Sequence, residues 1–207
     1  MVANIVRYES WEDDQERYDV FVDDNRIITI VTHSPGSVNS WISEIERIHH
    51  RRLHKLIVGL DIEWRPHSRY SQNPAATLQL CVGRRCLIFQ LIHAPYIPQS
   101  LVDFLGNSSY TFVGVGIDGD VGKLSSDYDL VVERTFDLRD WAVDDYDIPG
   151  LQNAGLKTLS SVVLGISVEK PREITMSRWD YRELSLEQVR YACTDAFLSF
   201  EIGRVLN

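Results

Sequence analysis

The order of apolar and polar positions predicts a β-hairpin near the N-terminus, followed by an amphipathic helix. Residues 18–22 and 26–31 are rich in β-branched and aromatic side chains, and the polar residues 23–25 between them form a turn sequence. After Ser34 and Pro35, apolar residues recur at the spacing of one helical face. These apolar residues are Val38, Trp41, Ile42, Ile45 and Ile48.

Strands and helices alternate along the rest of the chain. Apolar runs predict strands at residues 55–64, 76–82, 86–92, 111–117 and about 131–136. Helices are predicted from Pro98, from about Gly119, and at residues 156–164 and 185–206. Strands that come first and then alternate with helices predict an α/β fold, in which helices flank a mixed central sheet.

Length and composition are those of one soluble globular domain. The chain has 207 residues, of which 44% are hydrophobic and 25% charged. We expect a single domain at residues 18–207, preceded by an acidic N-terminal segment at residues 1–17. No apolar run reaches the roughly 18 residues of a membrane span, and the first ten residues lack the pattern of a signal peptide. A membrane is therefore not an expected partner.

Three cysteines, an odd number, favour a reducing compartment, and we expect the cytoplasm or the nucleus. Cys81 and Cys86 flank a predicted turn and would approach each other. We expect both to be buried thiols. No zinc site is expected, because the cysteines are not paired with histidines at a suitable spacing.

Acidic residues are concentrated in two segments. The chain carries 21 basic and 30 acidic residues, a formal net charge of −9. Residues 1–25 and 127–147 each hold eight acids and two bases, which leaves about +3 for the remaining chain. The net charge argues against non-specific binding of nucleic acid, whereas a moderately basic face between the acidic segments would permit binding. Alternatively, these charges only solvate the surface.

The first candidate site follows the apolar residues 56–59. Asp61 and Glu63 are two positions apart on the predicted strand, so their side chains point to the same face, and Ile62 points to the other. Two carboxylates on one face repel each other and resist burial unless a cation neutralises them. Hard oxygen ligands favour magnesium or manganese. Alternatively, the strand end is solvated and both acids are surface residues.

The second candidate site lies at residues 112–120, where a buried strand runs into a glycine-containing turn and a helix start. Asp118 suits the N-cap position, and Asp120 would then lie in the first helical turn, where the helix dipole favours acids. The Gly114-Val115-Gly116 fragment is also part of a dinucleotide-binding fingerprint. A dinucleotide-binding oxidoreductase requires the G-x-G-x-x-G run after the first strand, where this chain has none, and both acids would repel a pyrophosphate, so we discount this function.

The third candidate site lies in the last predicted helix. Tyr191 and Asp195 are four residues apart and so share a helix face, among apolar neighbours such as Ala192 and Phe197. An acid in a packed helix requires a partner. A hydrogen bond between the tyrosine and the aspartate is the structural alternative to a role in chemistry.

In combination and order, these three patterns resemble the DEDD exonucleases of the RNase H-like (DnaQ-like) superfamily, and the tyrosine resembles that of the DEDDy branch. The sequence motifs resemble those of the Werner-syndrome-type exonuclease domain most closely, and the resemblance covers roughly residues 20–206. The segments that carry it are residues 58–64, 113–120, 177–179 and 191–196.

The resemblance implies a 3′→5′ exonuclease that hydrolyses phosphodiester bonds and releases nucleoside monophosphates. Tyr191 would orient or deprotonate the attacking water. Two Mg²⁺ or Mn²⁺ ions per site would be held about 4 Å apart by four acids. The implied metal ligands are Asp61, Glu63, Asp120 and Asp195.

Substrate contacts are expected from aromatic and basic residues around these acids. Trp64 would stack on the terminal base, or else it is a core tryptophan at a strand end. Each of the basic residues would contact a phosphate, or else is a surface charge. These residues are Arg65, Arg69, Lys157 and Arg178.

The chain also resembles the small plant exoribonucleases that clear RNA from silencing complexes, and we expect a stand-alone enzyme of this kind. The resemblance implies single-stranded nucleic acid as substrate, with RNA favoured slightly over DNA. It also implies a homo-oligomer, with a hexameric ring as one form, and an RNA-silencing protein as partner. The alternative from another class is a catalytically silent, nucleic-acid-binding or scaffolding relative, which would tend to lack one of the acids.

Overall fold

The computed structural model describes residues 4–8, 14–66, 72–146 and 148–207. The side chain of Arg69, a predicted phosphate contact, lies outside these residues. The strands of the described residues form a single sheet. Their bounds are β1 (Ile5–Tyr8), β2 (Gln15–Val22), β3 (Asn25–Thr32), β4 (Leu56–Glu63), β5 (Thr77–Val82), β6 (Arg85–Phe89), β7 (Tyr110–Gly114) and β8 (Thr135–Asp137).

The sheet is mixed, in the order β1-β2-β3-β6-β5-β4-β7-β8. Strands β1 to β3 form an antiparallel meander, and β3 runs parallel to β6. Strand β4 pairs with β5 antiparallel and with β7 parallel, so it lies in the interior of the sheet. This position explains why the apolar residues of β4 are buried.

The main helices are α1 (Pro35–His49), α2 (Gln99–Leu105), α3 (Ile117–Tyr128), α4 (Leu138–Tyr146), α5 (Leu156–Leu159), α6 (Arg172–Thr175) and α7 (Leu186–Leu206). Short 3₁₀ turns occur at Leu53–Lys55, Leu91–His93 and Pro149–Asn153. Within the described ranges, no helix has both the length and the apolar composition that crossing a bilayer requires.

Helices cover both faces of the sheet. Phe112 of β7 contacts Phe104 of α2, with ring centroids 5.8 Å apart, whereas Val113 lies against Gly203 of α7. Since neighbouring residues of a strand point to opposite faces, α2 and α7 lie on opposite sides of the sheet. The predicted α/β fold, a mixed sheet flanked by helices, is confirmed.

Helix α7 approaches β4 very closely. A side chain at Gly59 would overlap the carbonyl oxygen of Ala196, and its Cβ would lie 2.6 Å from the backbone nitrogen of Phe200. Glycine at this position therefore brings the helix that carries Tyr191 and Asp195 directly against the strand that carries the first two acids.

Several predicted bounds are wrong. The strand predicted at residues 111–117 ends at Gly114, because Gly116 takes a left-handed conformation with φ of 74° and Ile117 already begins α3. The strand expected at 131–136 is only Thr135–Asp137, and the one expected at 86–92 ends at Phe89. The helix predicted at 156–164 changes after Leu159 into a π-helical turn.

Other local predictions are confirmed. The hairpin turn falls between Val22 and Asn25, and all three cysteines are buried and unbridged. Ser185 caps α7 with a reciprocal hydrogen-bond pair to Gln188. Strand β1 was not predicted. It lies within the acidic N-terminal segment and pairs antiparallel with β2.

Candidate active site

The end of β4 supplies the first two carboxylates. Asp61 and Glu63 point to the face that α7 covers, and Ile62 between them is buried on the opposite face. Both acids line an open cleft of about 420 Å³ at this end of the sheet. The predicted alternative of a solvated strand end is wrong for Glu63, whose side chain is only 9% exposed.

Helix α7 supplies the residues on the opposite wall. Tyr191 and Asp195 lie one turn apart and line the same cleft, and Asp195 is 4% exposed. The loop before α7 is held by Trp179, which is fully buried, contacts the ring of Tyr191 and donates a hydrogen bond from Nε1 to the Thr175 carbonyl. Tight packing of this loop fixes the orientation of the tyrosine.

Three carboxylates form a compact cluster, in which one ligand oxygen from each of Asp61, Glu63 and Asp195 lies within 4.8 Å of the others. Asp120 lines the same cleft from the first turn of α3. The structure therefore brings all four predicted metal ligands and Tyr191 to one cleft, although they are up to 134 positions apart in the sequence.

A hydrogen-bonded turn places Asp120. Asp137, at the end of β8, accepts a hydrogen bond from the Gly116 backbone nitrogen at 2.9 Å and a two-pronged ion pair from Arg139. Gly116 is the N-cap residue of α3, so the predicted N-cap role of Asp118 is wrong. Asp118 is instead an exposed first-turn residue, because the left-handed glycine starts the helix earlier than the sequence pattern indicates.

The site favours protonated acids in the absence of a cation. Burial, together with the charges of Asp195 and Asp120, raises the pKa of Asp61 well above its ordinary value. Burial and the charge of Asp61 do the same for Glu63. For Asp120, burial and the charge of Asp137 raise the pKa to about 7. A bound cation would relieve this repulsion.

Lys170 is a site residue that the sequence did not reveal. Its ammonium lies 2.6 Å from Asp195 Oδ2. Burial is the largest single influence and works against the charged lysine, but the charges of Asp195, Tyr191 and Asp61 and the hydrogen bond to Asp195 together outweigh it and raise the pKa of Lys170. A lone lysine between Glu169 and Pro171 carries no local pattern that marks it, so the tertiary structure alone gives its position.

The donor set fits divalent metal ions. All four acids offer oxygen ligands, the type that magnesium and manganese prefer. Asp61 Oδ2 is buried and has no hydrogen-bond partner among the described residues. A buried carboxylate oxygen without a partner is unfavourable, and a coordinated cation at this position would satisfy it.

Comparison with known proteins identifies the family of the chain. A family model described as 3′-5′ exonuclease matches residues 30–207, which include all four acids and the tyrosine. The chain belongs to the 3′-5′ exonuclease family. The predicted DEDDy-type family membership is thereby confirmed.

Curated members of this exonuclease family are similar to most of the chain. A 3′-5′ exonuclease of Arabidopsis thaliana is 39% identical over 152 residues, 72% of this chain and 52% of the relative. The bifunctional 3′-5′ exonuclease/ATP-dependent helicase WRN of Mus musculus is 34% identical over 152 residues, 72% of this chain and 11% of the relative. The chain thus spans about half of the first relative and a small part of the second.

Solved exonuclease structures share the fold. A crystal structure of the EXD2 exonuclease domain soaked in Mn and GMP is 26% identical to this chain, with a TM-score of 0.50. The match covers 86% of this chain and 88% of that chain. It confirms the predicted RNase H-like exonuclease architecture.

Tyr191 is positioned for a role as a neutral hydroxyl. Thr175 Oγ1 donates a hydrogen bond to Tyr191 Oη at 3.2 Å, and burial together with the charge of Asp195 raises the pKa of the tyrosine to about 12. At neutral pH the phenol therefore stays protonated. This favours the orientation of a water molecule over its deprotonation, two roles that the sequence left open.

The predicted substrate contacts divide into two groups. Trp64 lies just past the end of β4 and lines the cleft, with the Lys123 ammonium 5.4 Å from its ring centre. Arg65 and Arg178 both pair with Asp180, and neither arginine is among the cleft-lining residues. Lys157 pairs with Glu169 and is not among the cleft-lining residues.

Proposed function

We propose that the chain hydrolyses single-stranded nucleic acid from the 3′ end and releases nucleoside monophosphates, with two divalent metal ions at the acidic cleft. The observation that carries this proposal is the convergence of four carboxylates and a tyrosine in one open cleft, where a buried oxygen of Asp61 has no protein partner.

Each protein group has a distinct task in the proposed reaction. Asp61, Glu63, Asp120 and Asp195 would hold the metal ions. The bound ions would activate the attacking water and neutralise charge on the phosphate. Tyr191 would orient the water for attack on phosphorus. The water oxygen forms a bond to phosphorus, and the bond between phosphorus and the 3′ oxygen of the penultimate nucleotide breaks. This 3′ oxygen takes up a proton, and the terminal nucleotide leaves as a 5′-monophosphate.

Two observations support the metal and the product. The EXD2 domain crystal was soaked in Mn together with GMP, a nucleoside monophosphate, and another crystal of that domain was soaked in Mg. The chain retains the complete set of acids and the tyrosine, whereas a silent, scaffolding relative would tend to have lost one of them. We therefore favour the enzyme over the scaffold.

We propose single strands as substrate, with RNA favoured slightly over DNA. The net charge of −9 limits affinity for duplex backbones, and Lys170 is the one basic side chain among the described residues that line the cleft. A homo-oligomer would assemble a longer binding channel than one acidic protomer offers, and we include this in the proposal. Light scattering would test it, because a strict monomer contradicts the oligomer.

Matched 3′-labelled and 5′-labelled RNA and DNA of one sequence would test direction and substrate together. We expect immediate release of labelled mononucleotide from the 3′-labelled strand and a ladder from the 5′-labelled strand, with loss of both in EDTA. Asp61→Asn is the matched control, because it keeps the shape of the side chain and removes the charge.

Three outcomes would contradict the proposal. Undiminished cleavage in excess chelator would exclude the metal mechanism. Faster digestion of blunt duplex DNA than of single-stranded RNA would exclude the proposed substrate. Absence of cleavage under all conditions, with intact Mn²⁺ binding, would favour the silent relative.

A further inference from the structure

Lys170 introduces a cation into the acidic cluster. Its Nζ lies 2.6 Å from Asp195 Oδ2 and 5.2 Å from the ring centre of Tyr191. Among the described residues that line the cleft, it is the one with a cationic side chain. The ammonium therefore occupies the position where positive charge is most needed when no metal is bound.

The pairing has a direct consequence for metal binding. Asp195 belongs to the three-carboxylate cluster, and the ammonium already lies on one of its two carboxylate oxygens, Oδ2, so the ammonium and a divalent ion would compete for the same carboxylate. A metal ion and an ammonium repel each other at short range, and both would not share this oxygen. Metal ligation by Asp195 therefore works against its ion pair with Lys170.

The segment that carries Lys170 leaves room for such a release. Lys170 lies in the connection between Gly165, which ends the π-helical turn, and α6, and no regular hydrogen bonding fixes its backbone. Its side chain is 29% exposed to the cleft, and the four-carbon stem has several rotamers. The ammonium therefore has other rotamer positions within reach once it leaves the carboxylate.

A second lysine near the cleft shows what a purely structural pairing is like. Lys123 pairs with Asp127 at 3.0 Å and donates to the Asn73 carbonyl oxygen, and its ion-pair partner is outside the acidic cluster. Lys123 therefore ties α3 to the loop before β5. Lys170 instead pairs with a predicted metal ligand.

We propose that Lys170 is a tethered counter-ion that exchanges partners: it neutralises Asp195 in the metal-free protein, competes with the divalent ion for that carboxylate, and binds the substrate phosphate once the metal holds Asp195. This inference rests on the proposed metal-dependent function. It makes Lys170 a residue with opposite effects on metal affinity and on substrate affinity.

Lys170→Met tests the exchange, because methionine keeps much of the length of the stem and lacks the charge. Calorimetric titration with Mn²⁺ at pH 8.5, where protons compete least for the acids, should show about 10- to 100-fold tighter binding than in the parent. The KM for single-stranded RNA should rise about tenfold or more, while Lys170→Arg should restore most of the substrate affinity. Thermal unfolding in EDTA should show a less stable variant, and Mn²⁺ should remove the difference.

Lys123→Met is the matched control for loss of one positive charge, and its Mn²⁺ affinity should stay within about twofold of the parent. Equal or weaker Mn²⁺ binding by Lys170→Met, with a cooperative unfolding transition, would overturn the competition. Tighter Mn²⁺ binding with an unchanged KM would overturn the phosphate contact. If the parent itself binds no Mn²⁺, the proposed metal function fails. If the parent binds Mn²⁺ and Lys170→Met binds it with the same affinity, only the role of Lys170 fails.

Discussion

Tyr191→Phe separates the chemical role of the hydroxyl from the structural role of the ring. The substitution removes one oxygen, and the ring keeps its contact with Trp179, whose ring centre lies 6.0 Å away. Thr175 Oγ1 loses its 3.2 Å hydrogen bond to the phenol but keeps the Pro171 carbonyl oxygen, at 3.4 Å, as a second acceptor. A neutral hydrogen bond contributes about 1 kcal/mol, so we expect at most about this loss in the free energy of unfolding.

The effect on the reaction should be much larger than the effect on stability. A positioned group that orients or transfers a proton contributes about 10²–10⁴-fold to a rate. Because the pKa of Tyr191 is raised to about 12, the hydroxyl would act as a neutral group in the proposed reaction, and we expect a loss towards the lower end of this range. Manganese affinity should not change, because none of the four carboxylates is altered.

Single-turnover cleavage of a 5′-labelled RNA, measured beside calorimetric Mn²⁺ binding, checks this prediction. Tyr110→Phe is the matched control, because Tyr110 is also a buried tyrosine whose hydroxyl donates a hydrogen bond, to Glu46 Oε1, and it lies on β7 and is not among the cleft-lining residues. Cleavage by Tyr191→Phe at the parental rate would refute the reasoning and would leave the tyrosine with a structural role only.

Three further predictions concern the acids and the packing beneath them. Asp120→Asn should lose both manganese affinity and cleavage rate; full retention of both, measured by calorimetry and single-turnover kinetics, would move the third acid to Asp118. In EDTA the midpoint temperature of thermal unfolding should decrease as the pH rises from about 4 to about 7. The pKa of Asp120 is raised from 3.8 to about 7 in the folded chain, so its stabilising contribution is fully present below the unfolded pKa and is lost as the pH rises through about 7. Added Mn²⁺ should reverse this fall, and a metal-free midpoint that rises with pH would contradict the raised pKa. Gly59→Ala should lower the free energy of unfolding in urea by about 3 kcal/mol or more, because its Cβ would overlap backbone atoms of α7, whereas Gly150→Ala, with open space around it, should be nearly neutral.

The sequence by itself determined the local features that depend on neighbours along the chain. The alternation along β4 placed Asp61 and Glu63 on one face, and the four-residue spacing placed Tyr191 and Asp195 on one side of a helix. The capping box at Ser185 was also readable, because its hydrogen bonds join residues three positions apart. Together with the resemblance to a known family, these patterns predicted the fold class and the composition of the site.

The tertiary structure decided everything that depends on long-range contacts. The start of α3 was misplaced because it depends on Asp137, a residue about twenty positions away that binds the Gly116 backbone. Lys170 was missed because its importance comes from one contact with Asp195, and no spacing within the chain records that contact. The raised pKa values likewise arise from burial and from charges on different elements, so they exist only once the sheet, α3 and α7 have brought the four acids together.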